Sequence, residues 1–102
     1  MIILNTTYYI HESIDADFRK WVSEIYFPSA INIGGLERPM LAKILTDTQE
    51  GMSGYAVQLS ADNKEIAELW HDNHAADLRG ELSKLFGDKV LFFTTYMETI
   101  NP

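Results

Sequence analysis

The chain has 102 residues, of which 46% are hydrophobic and 23% charged, a balance that fits one small globular domain over residues 1–102 and excludes a disordered or low-complexity chain. It has no cysteine, which excludes a disulfide framework and a thiolate zinc site. The net charge is −7, from 15 acidic and 8 basic residues, and the basic residues are scattered between Arg19 and Lys89 without forming a stripe, so no nucleic acid partner is expected.

The opening stretch MIILNTTYYIHE has no basic leader, and its apolar run is far shorter than the ~20 residues that span a bilayer. We therefore expect neither export nor membrane insertion, and a cytoplasmic location. Ile2 to Ile10, rich in β-branched and aromatic residues and followed by the polar HES, predicts the first strand. Ile14, Phe18, Trp21, Val22 and Ile25 then recur at spacings of three or four, the mark of an amphipathic helix, with Ser13 or Asp15 placed to cap its free amides. Pro28 should break or redirect that helix, because proline lacks the amide and its ring clashes with the preceding turn. After NIGG, Met40 to Asp47 and Gly54 to Ser60 predict two strands of a hairpin, joined by TQEGMS, in which Gly51 can take a positive φ.

The second helix carries the clearest local signals. DNKE, from Asp62 to Glu65, fits a capping box, and Gly87 stands where a left-handed C-terminal cap belongs. Between them Ile66, Trp70, His74, Leu78, Leu82 and Leu85 form one stripe, which should carry His74 inward beside Trp21 or the end of helix one and leave His71 at the surface. Val90 to Met97 predicts the last strand. The order β-α-β-β-α-β in about a hundred residues points to an α+β, ferredoxin-like fold: a four-stranded antiparallel sheet with two helices on one face.

Strand alternation extends this reading. In VLFFTTYM, Val90, Phe92 and Tyr96 go to one side and Leu91, Phe93 and Met97 to the other; Ile2, Leu4, Tyr8 and Ile10 likewise oppose Ile3 and Tyr9. A sheet covered by helices on one face and water on the other should alternate cleanly, so apolar residues on both sides predict a second cover. Both helices are needed on one side. The expected cover is another copy of the protein, a homodimer through the open sheet face that buries several of Tyr9, Phe93 and Met97.

Trp21, Pro28, YAVQ at 55–58, His74, Leu78 with Arg79, FGDK at 86–89 and Phe93-Thr94-Thr95 together resemble the bacterial domain-of-unknown-function family 4286, over almost the whole chain. The resemblance implies a ferredoxin-like fold and no established activity. Members often carry His-Ile-Pro where this chain has Tyr26, Phe27 and Pro28, so any activity that depends on that histidine should be lacking here.

The candidate ligand-lining residues are His74, Gln58, Tyr55, Trp21 and Arg79; no catalytic residue, metal ligand or cofactor is assigned. WHDNHAADLRG places His71 and His74 three apart, but a metal needs further ligands and His11, at a strand end, is the remaining histidine. Arg79 and Glu81 read as a solvated surface pair rather than an anion site. Gln58 lies within a strand expected to be central, where its amide would need Asn5, Thr7 or Thr95 as partners. No serine shows an elbow or a paired base. The function expected is therefore that of a non-catalytic homodimeric binding or interaction module, with a small molecule as a further possible partner. The alternative is a cofactor-independent enzyme of the dimeric α+β barrel type, acting on a small organic substrate with His74, Tyr55 or Tyr9 as proton shuttle beside Trp21.

Overall fold

The computed structural model describes residues 1–46 and 49–100. Four strands, β1 (Ile2–His11), β2 (Glu37–Ile44), β3 (Met52–Ala61) and β4 (Val90–Glu98), form one sheet in the order β2-β3-β1-β4. Every neighbouring pair is antiparallel, which is the ferredoxin-like arrangement that the order of elements predicts. The hairpin strands lie earlier than expected: β2 begins at Glu37 and ends at Ile44, while β3 already begins at Met52. Gly51 holds the expected positive φ, 79°; Asp47 and Thr48, also placed in this hairpin, lie outside the described residues.

Leu4, Thr6, Tyr8 and Ile10 of β1 and Tyr55, Val57 and Leu59 of β3 point to the same side of the sheet and are buried there. Two helices cover that side. The first, α1, spans residues 15–32 after a short 3₁₀ turn at Glu12–Ile14. That turn is capped by His11, whose Nδ1 accepts the Ser13 amide at 3.1 Å; α1 itself starts after Ile14 without a side-chain cap, from Ser13, Asp15 or any other residue. The second, α2, spans residues 64–86. Its cap is Asn63, whose Oδ1 accepts the Ile66 amide at 3.0 Å, one residue after the position that the capping box marks. At the far end Gly87 takes φ 59° and donates its amide to the Ser83 carbonyl, a conformation open to glycine without the cost a side chain would add.

Neither helix is a uniform α-helix. A π turn occupies Val22–Tyr26 in α1 and Trp70–Ala75 in α2. In α1 the Phe27 amide reaches back five residues to the Val22 carbonyl, so the chain passes Pro28 without ending and continues to Asn32. A π turn takes up one residue more than an α turn, and each extra residue rotates the remainder of the helix by about 100°. The core face therefore slips by one position. In α1 it runs through Phe18, Val22, Tyr26 and Ala30, leaving Ile25 exposed; in α2 it runs through Ala67, Trp70, Ala75, Arg79 and Leu82, leaving His74 and Leu85 exposed. No helix among the described residues is long and apolar enough to cross a membrane.

Candidate functional site

The slip in α2 turns Arg79 inward. It is 6% exposed, which corrects the expectation of a solvated pair with Glu81. Arg79 Nη2 donates to the His71 carbonyl at 3.3 Å, its Cζ lies 5.2 Å from the centre of the Phe92 ring, and Nη1 has no hydrogen-bond partner. Among the described residues the ion pairs are Asp15 with Arg19 and Lys64 with Glu68, so no carboxylate answers this buried charge.

β1 supplies the floor. Tyr8, opposite Phe92 in the register, is fully buried and its hydroxyl lacks a partner. Burial, then the nearby Tyr26, pushes its phenol far above the ordinary value, while the Arg79 charge pulls the other way. The guanidinium thus stands close enough to act on the phenol electrostatically, although the pair falls short of a good hydrogen bond. Tyr26 and Tyr96 are also raised, in both cases chiefly by burial, with Arg79 opposing. Beside Tyr8, Thr6 and Thr94 share a hydroxyl–hydroxyl bond of 3.1 Å between β1 and β4. His71 is half-buried, edge-on to Tyr96 at 5.9 Å, and is held below its ordinary pKa by burial and then by the Arg79 charge. Arg79 thus acts electrostatically on three phenols that burial raises and on an imidazole that burial lowers.

The structure does not gather the residues singled out in the sequence. Trp21 is in the core, edge-on to Tyr8 at 6.3 Å, and so borders the Arg79 site. Tyr55 is buried in the same layer, but its hydroxyl is committed at the start of α1, donating to Asp15 and accepting from Arg19 Nε at 2.8 Å. Gln58 is on the opposite face of the sheet, in a groove with Ile3, Arg38 and Met40; the amide of Asn5 bonds Thr7 at 3.1 Å instead of reaching it. His74 does not point inward near Trp21. It is exposed and stacks on the indole of Trp70, with ring centres 5.8 Å apart. His71 and His74 therefore exchange the places expected of them. Tyr9 lies on the open face, so the three groups named as a possible proton shuttle occupy three different parts of the molecule. Tyr8, Tyr26 and Tyr96 were not singled out and His71 was expected at the surface; the second four-residue row of α2, Ala67, His71, Ala75 and Arg79, is the signal that marks His71 and Arg79 as inward.

The family model that matches this chain, described as a domain of unknown function (DUF4286), covers residues 1–100, and the chain belongs to that family. No curated protein sequence matches it. Among solved structures it is similar to a protein from Deinococcus radiodurans described as a "putative antibiotic biosynthesis monooxygenase", with a TM-score of 0.73 and 16% identity over 100% of this chain and 95% of that one. A dimeric ferredoxin-like protein from an uncultured marine organism matches with a TM-score of 0.59 and 16% identity, over 98% of this chain and 96% of the other. A de novo designed protein, Foldit4, matches about as well, with a TM-score of 0.61 and 13% identity over 97% and 98% of the two chains. At these identities the likeness is one of fold, and a designed protein among the neighbours makes the point that this fold carries no function of its own.

Proposed function

We propose that this protein is a non-catalytic homodimeric interaction module that assembles through the open face of its sheet. One observation carries the reading. In a chain that is 23% charged, the residues that β1 (Ile3 to Tyr9), β3 (Gly54 to Ser60) and β4 (Leu91 to Met97) turn to this face are all uncharged, and the charges there, Glu37 and Arg38, are confined to the start of the edge strand β2. Leu91 and Phe93 are 61% and 54% exposed there, and Met40 and Met97 are exposed as well. Depletion of charge with enrichment of aromatic and methionine side chains is the composition of an interface core. A second copy offers the same apolar patch over β3, β1 and β4, and a two-fold pairing lets one patch serve both partners. Edge-to-edge pairing at β2 is disfavoured by Pro39 and the irregular register between Glu37 and Met40. The dimeric state of the marine structural neighbour also supports the reading, and the acidic net charge supports one without nucleic acid.

Sedimentation velocity at micromolar concentration tests it. The wild type is expected to sediment as a dimer burying ~800 Å² per partner, the usual size of a specific interface. Phe93→Asp, at an exposed position, is expected to give a folded monomer. A wild type that stays monomeric at about 100 μM, a concentration that populates any dimer of biological strength, refutes the reading, as does a Phe93→Asp variant that dimerises unchanged.

A further inference from the structure

Arginine is among the residues least often buried without a counter-charge, because leaving water costs a guanidinium several kcal/mol that only good partners offset. Arg79 has one long bond to a carbonyl and the face of Phe92. Its neighbours do not provide the missing anion: burial raises Tyr8, Tyr26 and Tyr96 further above the ordinary phenol value, and the imidazole of His71 carries no negative charge in either of its protonation states. Beside it the Tyr8 hydroxyl is a second buried group without a well-formed hydrogen bond, and Arg79 itself is the polar group near it. An oxyanion could accept from both groups at once, so the counter-charge that suits this site comes from outside the chain.

A groove on the helical side indicates what kind of molecule could bring it. It lies between α1 and the end of α2, has a volume of about 310 Å³, and is lined by Trp21, Ile25, Leu85 and Phe86, with Asp17, Lys20 and Glu24 at its rim. Trp21 forms the wall shared with the interior, since its ring also packs on Tyr8. The rim charges include both signs, whereas the interior beyond Trp21 has the single unanswered cation. We propose that this protein binds a small organic acid, with its carboxylate or enolate oxygens on Arg79 and Tyr8 and its apolar body against Trp21 in the groove. Binding requires Trp21 to shift aside from Tyr8. This site is on the opposite side of the sheet from the proposed dimer face, so the two readings stand or fall separately.

The probes are benzoate, phenylacetate and hexanoate, with benzamide as a neutral isostere and chloride at matched ionic strength. Binding is followed by calorimetry and by tryptophan fluorescence, for which Trp21 and Trp70 are the chain's two fluorophores. At least one carboxylate is expected to bind with a dissociation constant below about 1 mM. Benzamide and Arg79→Met should each weaken binding by about tenfold or more, the loss expected on removal of one charge-assisted hydrogen bond. Tyr8→Phe keeps the ring packing and should weaken binding by at least about threefold, in line with a neutral hydrogen bond. Without ligand, Arg79→Met should melt at or above the wild-type temperature, because replacing an uncompensated buried charge by an apolar side chain is neutral or stabilising. The proposal is overturned if no carboxylate binds at about 10 mM, if chloride binds as well as the acids do, or if Tyr8→Phe retains full affinity. A marked fall in the melting temperature of Arg79→Met would also overturn it, by making the guanidinium a structural strut.

Discussion

Gly34→Ala would place a methyl group where the turn after α1 meets α2. An ideal Cβ at this position lies 2.7 Å from the Ala30 carbonyl oxygen and 2.9 Å and 3.1 Å from Cε3 and Cδ2 of Trp70. Carbon atoms are most comfortable at about 3.5–4.0 Å, so the indole must yield by roughly 0.5 Å or more. Any shift disturbs its packing: Trp70 is 1% exposed, edge-on to Tyr26 and stacked with His74, each with ring centres 5.8 Å away. Gly34 is not among the positive-φ residues, so the whole effect is steric. Overpacking of this kind costs about 1–3 kcal/mol, which in a domain of this size lowers the melting temperature by about 5–20 °C. Gly80→Ala is the internal control, because nothing lies within 4 Å of its Cβ and alanine is favoured over glycine in a helix by up to about 1 kcal/mol. Urea unfolding followed by far-ultraviolet circular dichroism reads both variants without depending on tryptophan emission. If Gly34→Ala unfolds within about 0.5 kcal/mol of wild type, the range of an ordinary surface change, the close packing of Trp70 against this turn is refuted.

His71 supplies a pH dependence: its folded-state pKa lies below the ordinary 6.5, through burial first and Arg79 second, so the unfolded chain binds the proton more readily. Its contribution to stability is complete above pH 6.5 and is lost as the pH falls through the lower folded value; urea midpoints should decline in that window for wild type and decline less for His71→Gln, and equal slopes would refute the assignment. Tyr55→Phe removes the hydroxyl that joins Asp15 and Arg19 across α1 and β3 and should cost about 1 kcal/mol in urea unfolding; an unchanged midpoint would show that the linkage adds nothing. Asn63→Ala should cost about 1 kcal/mol as a lost helix cap, and Asp62→Ala should stay within about 0.5 kcal/mol; the reverse order would move the cap to Asp62.

The strands were legible because a strand's period of two is not changed by the layer packed against it. Leu4, Tyr8 and Ile10 face the helices and Ile3 and Tyr9 face away, as alternation alone requires. Gly51 and Gly87 were legible for a similar reason, since a positive φ is a local demand and glycine meets it at little cost. The helix faces were not. The stripe through Trp70, His74 and Leu78 and the row through His71, Ala75 and Arg79 are both compatible with an α-helix, and the larger apolar residues favour the first. One additional residue in the π turn decides between them.

Order of elements, strand faces and the apolar residues on both faces of β1 and β4 were thus determined by the sequence itself, because each arises from contacts between residues close along the chain or from strict alternation. The burial of Arg79, the exchange of places between His71 and His74, and the grouping of Tyr8, Tyr26 and Tyr96 around one guanidinium were decided by the tertiary structure. A π turn forfeits the usual i→i−4 bonding, and it persists where packing against the rest of the fold offsets that loss. In this chain Tyr26 and Trp70, one from each π turn, meet edge to face across the two helices, a contact between residues distant in sequence that no local pattern records.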